Sequence, residues 1–420
     1  MPYIFFTMND FSREGGATIR MYGILNELAK QGENVTLISN AKGMGKFDPS
    51  IKHINIGYSF SPKDKRSFQG VVGALPLSIA LSKYKGLIDR LKTVIQQNSF
   101  EKRHIIFFEY LDNTIGYVLK KKGVIAGYIN DLHGIATVEF KFQADHARSF
   151  LEKVKFLSKY CISNLLDTKV FNNAYGLIFA SKVMQEFFVE LYPEISSGKN
   201  VVIPYVLSPD IAFQSVDDVL KKKLSSDLHI HENDIVIFFA GIFKKTGGVP
   251  DLISAVSNLI PKQKRIKLVL VGDGVTMEEC KNLVREKGLD ENVHFIGRTP
   301  YHYLRTYQDI ATIIVCPDKM NLYSELIIHV KYLDALMSGK IVINGDFKSV
   351  KEVNVDDALS VSFKPSNIES LTNAIAYSID NLKALKIKYR NNAKYASENL
   401  TYRNYVHNLK ALKISDDDKG

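Results

Sequence analysis

Short apolar runs alternate with longer amphipathic stretches along almost the whole of this 420-residue chain. An apolar run too short for a helix, bounded by glycine or polar residues and followed by helical spacing, reads as a buried strand feeding a crossover helix. YIFFTM at 3–8 is such a strand, and a loop holding Gly15 and Gly16 follows it. ATIRMYGILNELAKQG then places Ile19, Tyr22, Leu25 and Leu28 on one helical face, Gly32 ends that helix, and NVTLIS (34–39) is the next strand. Strand, glycine loop, helix and strand make one βαβ unit, and such units build parallel sheets.

HIIFFEY (104–110), GVIAGYIND (123–131) and YGLIFAS (175–181) supply further strands, and 148–174 reads as a long amphipathic helix. After VVIPYVLSP (201–209) the series restarts with the strand DIVIFFAG (234–241), a helix over 250–260, the strand KLVLVGDG (267–274) and a helix over 277–288. VHFIG (293–297), TIIVCP (312–317), a helix over 328–338, KIVIN (340–344) and ALSVSF (358–363) complete it. At about 150 residues per domain, two series joined near residue 206 predict two facing, Rossmann-like, doubly wound α/β domains.

Composition narrows the class. With 45% hydrophobic residues the chain can bury cores without staples. Cys161, Cys280 and Cys316 are scattered, with no CxxC, so a disulfide framework and a structural zinc are not expected and a reducing compartment is. MPYIFFTMNDF lacks the features of a signal peptide, and no apolar run reaches the ~18 residues of a spanning helix. A cytoplasmic protein is expected, either free or peripheral at the inner face of a membrane. Residues 1–205 carry 26 Lys and Arg against 18 Asp and Glu, whereas 206–420 carry 29 against 27. The basic first half either meets an anionic partner or is a well-solvated surface. Nucleic acid is not among the expected partners.

FSREGGATIRMYGILNELAKQGENVTLIS (11–39) resembles the first βαβ unit of retaining, nucleotide-sugar-dependent glycosyltransferases of family 4, which have the GT-B fold. The second half is similar to the same family in order: FFAG…GGVPDLISA, then residues 268–318, then VKYLDALMSGKIVIN (330–344). The resemblance implies an acceptor-side domain over 1–205, a nucleotide-sugar domain over 206–394, and a closing helix within 395–420 that crosses back to the first domain, with Tyr402 where a Trp is often found. It implies a ligand site between the domains.

Site residues follow from that resemblance, each beside a blander alternative. Gly15 and Gly16 would let backbone N–H groups and a helix dipole approach a diphosphate; a tight turn is the alternative. Family members have an Arg where this chain has Ile242, leaving Lys244 and Lys245 as the nearest cations, or as plain surface lysines. Asp334 stands where the family has a Glu that binds the nucleotide ribose, unless it serves only the helix dipole. The second family acid maps near Glu325, with Lys331 matching the Lys of a sub-pattern and placed near the phosphates; Glu325 as a solvated loop charge is the alternative. His133, with Asp131 to orient it, matches a histidine near the transferred sugar and the acceptor, against a structural role.

The resemblance implies a hexosyltransferase that moves sugar from a nucleotide diphosphate to a hydroxyl of a glycan or lipid-linked acceptor, working without a metal. Electrostatic stabilisation of the departing diphosphate would drive the reaction. A catalytically inactive GT-B binding module, or a nucleotide-sugar epimerase of the same fold, are the competing functions.

Overall fold

The computed structural model describes residues 2–12, 15–58, 78, 82, 84–134, 136–147, 149–207 and 215–412. Lys63, Lys65, Arg66 and Lys83 of the basic first half and the terminal SDDDKG lie outside the described residues. The chain divides into two compact units, Met1–Pro204 with Tyr405–Gly420, and Tyr205–Asn404.

In the first unit, β1 (Tyr3–Phe6), β2 (Val35–Ser39), β3 (Lys52–Asn55), β4 (His104–Phe107), β5 (Gly127–Leu132), β6 (Gly176–Phe179) and β7 (Lys199–Val202) form a sheet ordered β3-β2-β1-β4-β5-β6-β7. Every pairing is parallel. β1 and β2 are buried at every residue, as strands covered on both faces must be. The Gly16–Lys30 helix is buried over Arg20–Leu28, a wider face than the four apolar positions alone require.

In the second unit, β8 (Ile235–Ala240), β9 (Ile266–Val271), β10 (Val293–Gly297), β11 (Ile313–Cys316), β12 (Ile341–Gly345) and β13 (Val361–Phe363) pair in the order β10-β9-β8-β11-β12-β13, again all parallel. Ile237, Phe239, Leu268, Leu270, Ile313 and Ile343 are fully buried and pack with Leu252, Ile253 and Val256 of the Val249–Leu259 helix. Each such side chain removed from water contributes about 1.5–3 kcal/mol. Two glycines close the strand ends. A Cβ on Gly248 (φ 67°) would stand 1.7 Å from the Pro317 carbonyl oxygen, and one on Gly272 (φ 128°) 1.9 Å from that of Gly241. The ends of β8, β9 and β11 are thereby drawn together.

Some expectations are corrected. The strand within HIIFFEY stops at Phe107, because Glu109 takes a left-handed conformation (φ 59°) and opens the Glu109–Lys121 helix. β3 (KHIN) was not foreseen: at the sheet edge it needs no apolar run, and its residues are exposed or half-buried. Among the described residues the closing segment is two 3₁₀ turns, Tyr402–Asn404 and Val406–Leu412, rather than an α-helix. The return to the first unit begins at Tyr405 rather than 395; the Asn392–Asn399 helix stays in the second unit, where the Asn392 amide donates to the Leu359 carbonyl. Tyr402 is fully buried there.

Candidate functional site

In both sheets the order reverses beside the first strand of the series: between β1 and β4, and between β8 and β11. Loops leaving the carboxyl ends of strands on either side of such a reversal diverge and leave a crevice, the usual ligand position in open α/β sheets. Gly15, Gly16 and His133 belong to the first unit, and Lys244, Lys245, Glu325, Lys331 and Asp334 to the second.

In the first unit, Gly15 is the extended N-cap of the Gly16–Lys30 helix, and no side chain caps it. Among the described residues a Cβ there would meet nothing within 4 Å, so nothing in their packing demands a glycine. One turn on, Arg20 is completely buried and grips Asp131 at the end of β5 with two hydrogen bonds, from Nε (2.8 Å) and Nη2 (2.7 Å). Its Nη1 donates to the carbonyl of Ile203 at 2.7 Å. Burial alone would raise the Asp131 pKa, but the Arg20 guanidinium outweighs it and holds the carboxyl down at about 2. Asp131 Oδ2 also lies 3.2 Å from His133 Nδ1. The helix that follows the glycines and the His133 loop are therefore locked to one carboxylate.

Phe11 (φ 55°) and Glu109 (φ 59°) hold left-handed conformations on the two sides of this reversal, each at a cost of about 1–3 kcal/mol. Asp112 accepts from the Met8 amide (3.1 Å) and Glu109 from the Asn9 side chain (3.2 Å), tying the β1 and β4 loops together. Beside His133 a pocket is lined by Tyr110, Asn113, Thr137, Asp167, Phe171 and Tyr192. Burial lifts the Asp167 carboxyl to about 7, against the hydrogen bond from the Thr137 hydroxyl.

In the second unit, Lys244 lies on the loop after β8, its ammonium 5.8 Å from the centre of the Tyr323 ring. Lys245 is exposed, and Ile242, at the position of the expected Arg, is 70% exposed. Lys331, in the Val330–Met337 helix, donates to Asp318 at 2.9 Å and lies 3.7 Å from where a Gly241 Cβ would sit. Lys331 thus reaches the reversal, but with its charge already balanced by a carboxylate. Asp334, one turn further along, accepts from the Tyr301 hydroxyl at 2.6 Å. Burial raises its carboxyl to about 7, only partly offset by that hydrogen bond. Glu325 is half-buried on the short Leu322–Leu326 helix that precedes this segment.

Of these residues Lys331 is paired with Asp318, Lys244 lies over the Tyr323 ring, and Asp334 meets Tyr301. Arg20, Asp167, Tyr301 and Asp318 were missed. An arginine inside an apolar helical face signals a buried partner, but nothing local names Asp131, 111 positions away. Among the described residues no group of three or more His, Cys, Asp or Glu could hold a metal ion, and no helix is long and apolar enough to cross a membrane.

Two parallel α/β domains with this strand order are the GT-B fold, and comparison with solved structures agrees. A sucrose-phosphate synthase from Thermosynechococcus elongatus superposes with a TM-score of 0.70 at 16% identity, covering 98% of this chain and 96% of that one. HepE of Anabaena, solved with UDP and glucose, gives 0.69 at 16%, covering 98% of each chain. WaaG, a glycosyltransferase of lipopolysaccharide biosynthesis, gives 0.63 at 14%, with the same coverage. Residues 221–399, most of the second unit, match the family model for glycosyl transferases group 1. No curated protein matches the chain in sequence. The solved structures thus share the fold, and the family match covers residues 221–399 alone.

Proposed function

We propose that the protein is a retaining glycosyltransferase that moves a hexose from a nucleotide diphosphate sugar to a hydroxyl of a glycan or lipid-linked acceptor. The observation that carries this reading is Asp334. It is a half-buried carboxyl whose one described partner is the Tyr301 hydroxyl, in the segment that matches the glycosyl transferase model. A ribose diol supplies the two donors such a group lacks, and its ionised form would hold them by charge-assisted hydrogen bonds. Lys244 and Lys245 would neutralise the diphosphate as point charges, since Ile242 offers no guanidinium for bidentate contact. Gly15 and Gly16 would add backbone donors, and His133, oriented by Asp131, would meet the sugar and the acceptor. Glu325 would serve the transferred sugar. UDP is the first nucleotide to try, because HepE is solved with it.

A thermal-shift screen of nucleotide sugars against the free nucleoside diphosphates tests the reading. Stabilisation by one donor family supports it, and no response to any donor contradicts it.

Membrane-side acceptors are favoured by the Phe150–Asn172 helix. Phe150 (79% exposed), Leu151 (80%), Val154 (44%), Leu157 (38%) and Leu165 (67%) are apolar residues left in solvent. Exposed Lys153 and Lys155 accompany them, as on helices that lie in an anionic lipid interface. The protein would then work at the inner face of a membrane.

A further inference from the structure

The β11 loop holds a polar cluster that the reading above uses only in part. Asp318, two residues past the strand, is completely buried. Lys331 Nζ donates to its Oδ1 at 2.9 Å, and His329 Nδ1 lies 3.0 Å from its Oδ2. Burial would raise the Asp318 pKa, but His329 and Lys331 hold it well below the ordinary carboxylate range. His329 is the N-cap of the Val330–Met337 helix, its side chain 11% exposed, with the rings of Tyr323 (5.9 Å) and Phe347 (6.2 Å) beside it.

The other nitrogen, Nε2, is buried and has no hydrogen-bond partner among the described residues. Such orphaned atoms are few in folded proteins, and each calls for an explanation. Burial pushes the imidazole pKa down; Asp318 opposes this, and Lys331 and Lys244 add to it, so the neutral ring is the favoured form. A neutral imidazole has one donor and one acceptor. Asp318 Oδ2, 3.0 Å from Nδ1, is likewise buried without a hydrogen-bond partner among the described residues, and a proton on Nδ1 gives it a donor, which leaves Nε2 as the acceptor. What Nε2 lacks is therefore a donor. Ionised phosphate oxygens have none to give, whereas a sugar hydroxyl does.

We propose that Asp318 and His329 form a carboxylate–imidazole pair whose Nε2 accepts a hydrogen bond from a hydroxyl of the donor's transferred sugar. The pair sits at the carboxyl end of β11, beside the β8/β11 reversal, with Lys331 on the same carboxylate. This assignment rests on the nucleotide-sugar reading and adds to it a residue that distinguishes the sugar from the nucleotide.

The test measures dissociation constants of UDP-glucose, GDP-mannose, dTDP-glucose and ADP-glucose, each against its free nucleoside diphosphate, for wild type and three variants. His329→Phe keeps a flat ring and removes the acceptor. His329→Asn keeps an amide toward Asp318 with nothing at the Nε2 position, and His329→Gln carries an acceptor toward that position. For the donor that binds, the expected result is a loss of about tenfold in the Phe and Asn variants, partial recovery in Gln, and nucleoside diphosphate affinity within about twofold of wild type throughout. Should His329→Phe fail to fold, as a melting curve would show, the Asn and Gln pair carries the same comparison. Equal losses for sugar and nucleotide, or no loss at all as a structural water at Nε2 would give, overturn this assignment alone. A wild type that binds none of the four overturns the nucleotide-sugar reading, and this assignment with it.

Discussion

Arg20 and Asp131 face each other through two hydrogen bonds of 2.8 and 2.7 Å with neither side chain exposed to solvent. A buried ion pair contributes little net stability by itself, but removing one partner strands the other charge in a low dielectric. Arg20→Ala should therefore destabilise the first unit by about 3–5 kcal/mol, read as a lowered denaturant midpoint. Arg20→Met combined with Asp131→Leu should recover much of that loss. A double variant as unstable as the sum of its single changes would show that the pair does not act as a unit.

Asp167 is buried in the wall of the pocket beside His133. Its folded pKa, lifted to about 7 from 3.8, means that the folded state keeps a proton which the unfolded chain releases near pH 4. That contribution is fully present below pH 4 and is lost as pH rises toward 7 and beyond. Asp167→Asn, which can still accept from Thr137, should change the melting temperature least near pH 4, raise it modestly at pH 5 and raise it most at pH 8. At about 2–4 °C per kcal/mol for a domain of this size, a gain of several degrees is expected. A variant that melts lower at pH 8 than wild type would overturn this reading of the carboxyl.

Asp334 titrates near the same pH, with burial as the cause and the Tyr301 hydroxyl acting against it. If ribose hydroxyls bind its ionised form, donor affinity should rise as pH passes upward through 7. Asp334→Asn should flatten that part of the profile, and Asp334→Ala should weaken donor binding tenfold or more. Calorimetric titration between pH 6 and 8.5 reads both effects, and an Asn variant with the wild-type slope would assign the titration to another group.

For the exposed helix the measurement is co-sedimentation with vesicles. Wild type should bind anionic vesicles at low salt and release as salt rises, each well-placed Lys supplying roughly 1 kcal/mol. Leu151→Glu with Leu165→Glu should abolish binding without changing the melting temperature, because both side chains are already in solvent. No binding by wild type at low salt would point to a soluble acceptor.

Legibility in the sequence followed range and periodicity. Strands covered on both faces, such as IVIFFA of β8, are visible as uninterrupted apolar runs, so the parallel α/β architecture could be read directly. Edge strand β3 could not, because nothing forces apolar residues onto an open edge. The helix start at Glu109 was hidden because FFEY has strand-like composition while the left-handed backbone that turns the chain leaves no mark on residue type. Candidate site residues could be named where a local motif exists, as at His133 and Asp334. The partners that decide their chemistry, Arg20 for Asp131 and Tyr301 for Asp334, lie 111 and 33 positions away and become visible only after folding. Lys331 is the clearest case: as a sequence feature it was a free cation, whereas folding gives it to Asp318.

The most direct test of the account is the stereochemistry of the product. Wild type would be incubated with the nucleotide sugar that stabilises it and a panel of soluble and lipid-linked glycan acceptors, and the new linkage read by NMR at the anomeric carbon. The account predicts stoichiometric release of nucleoside diphosphate and a product with the anomeric configuration of the donor, with transfer collapsing in His133→Ala while nucleoside diphosphate still binds. An inverted anomer, an epimerised sugar without transfer, or tight donor binding with no turnover on any acceptor would contradict it.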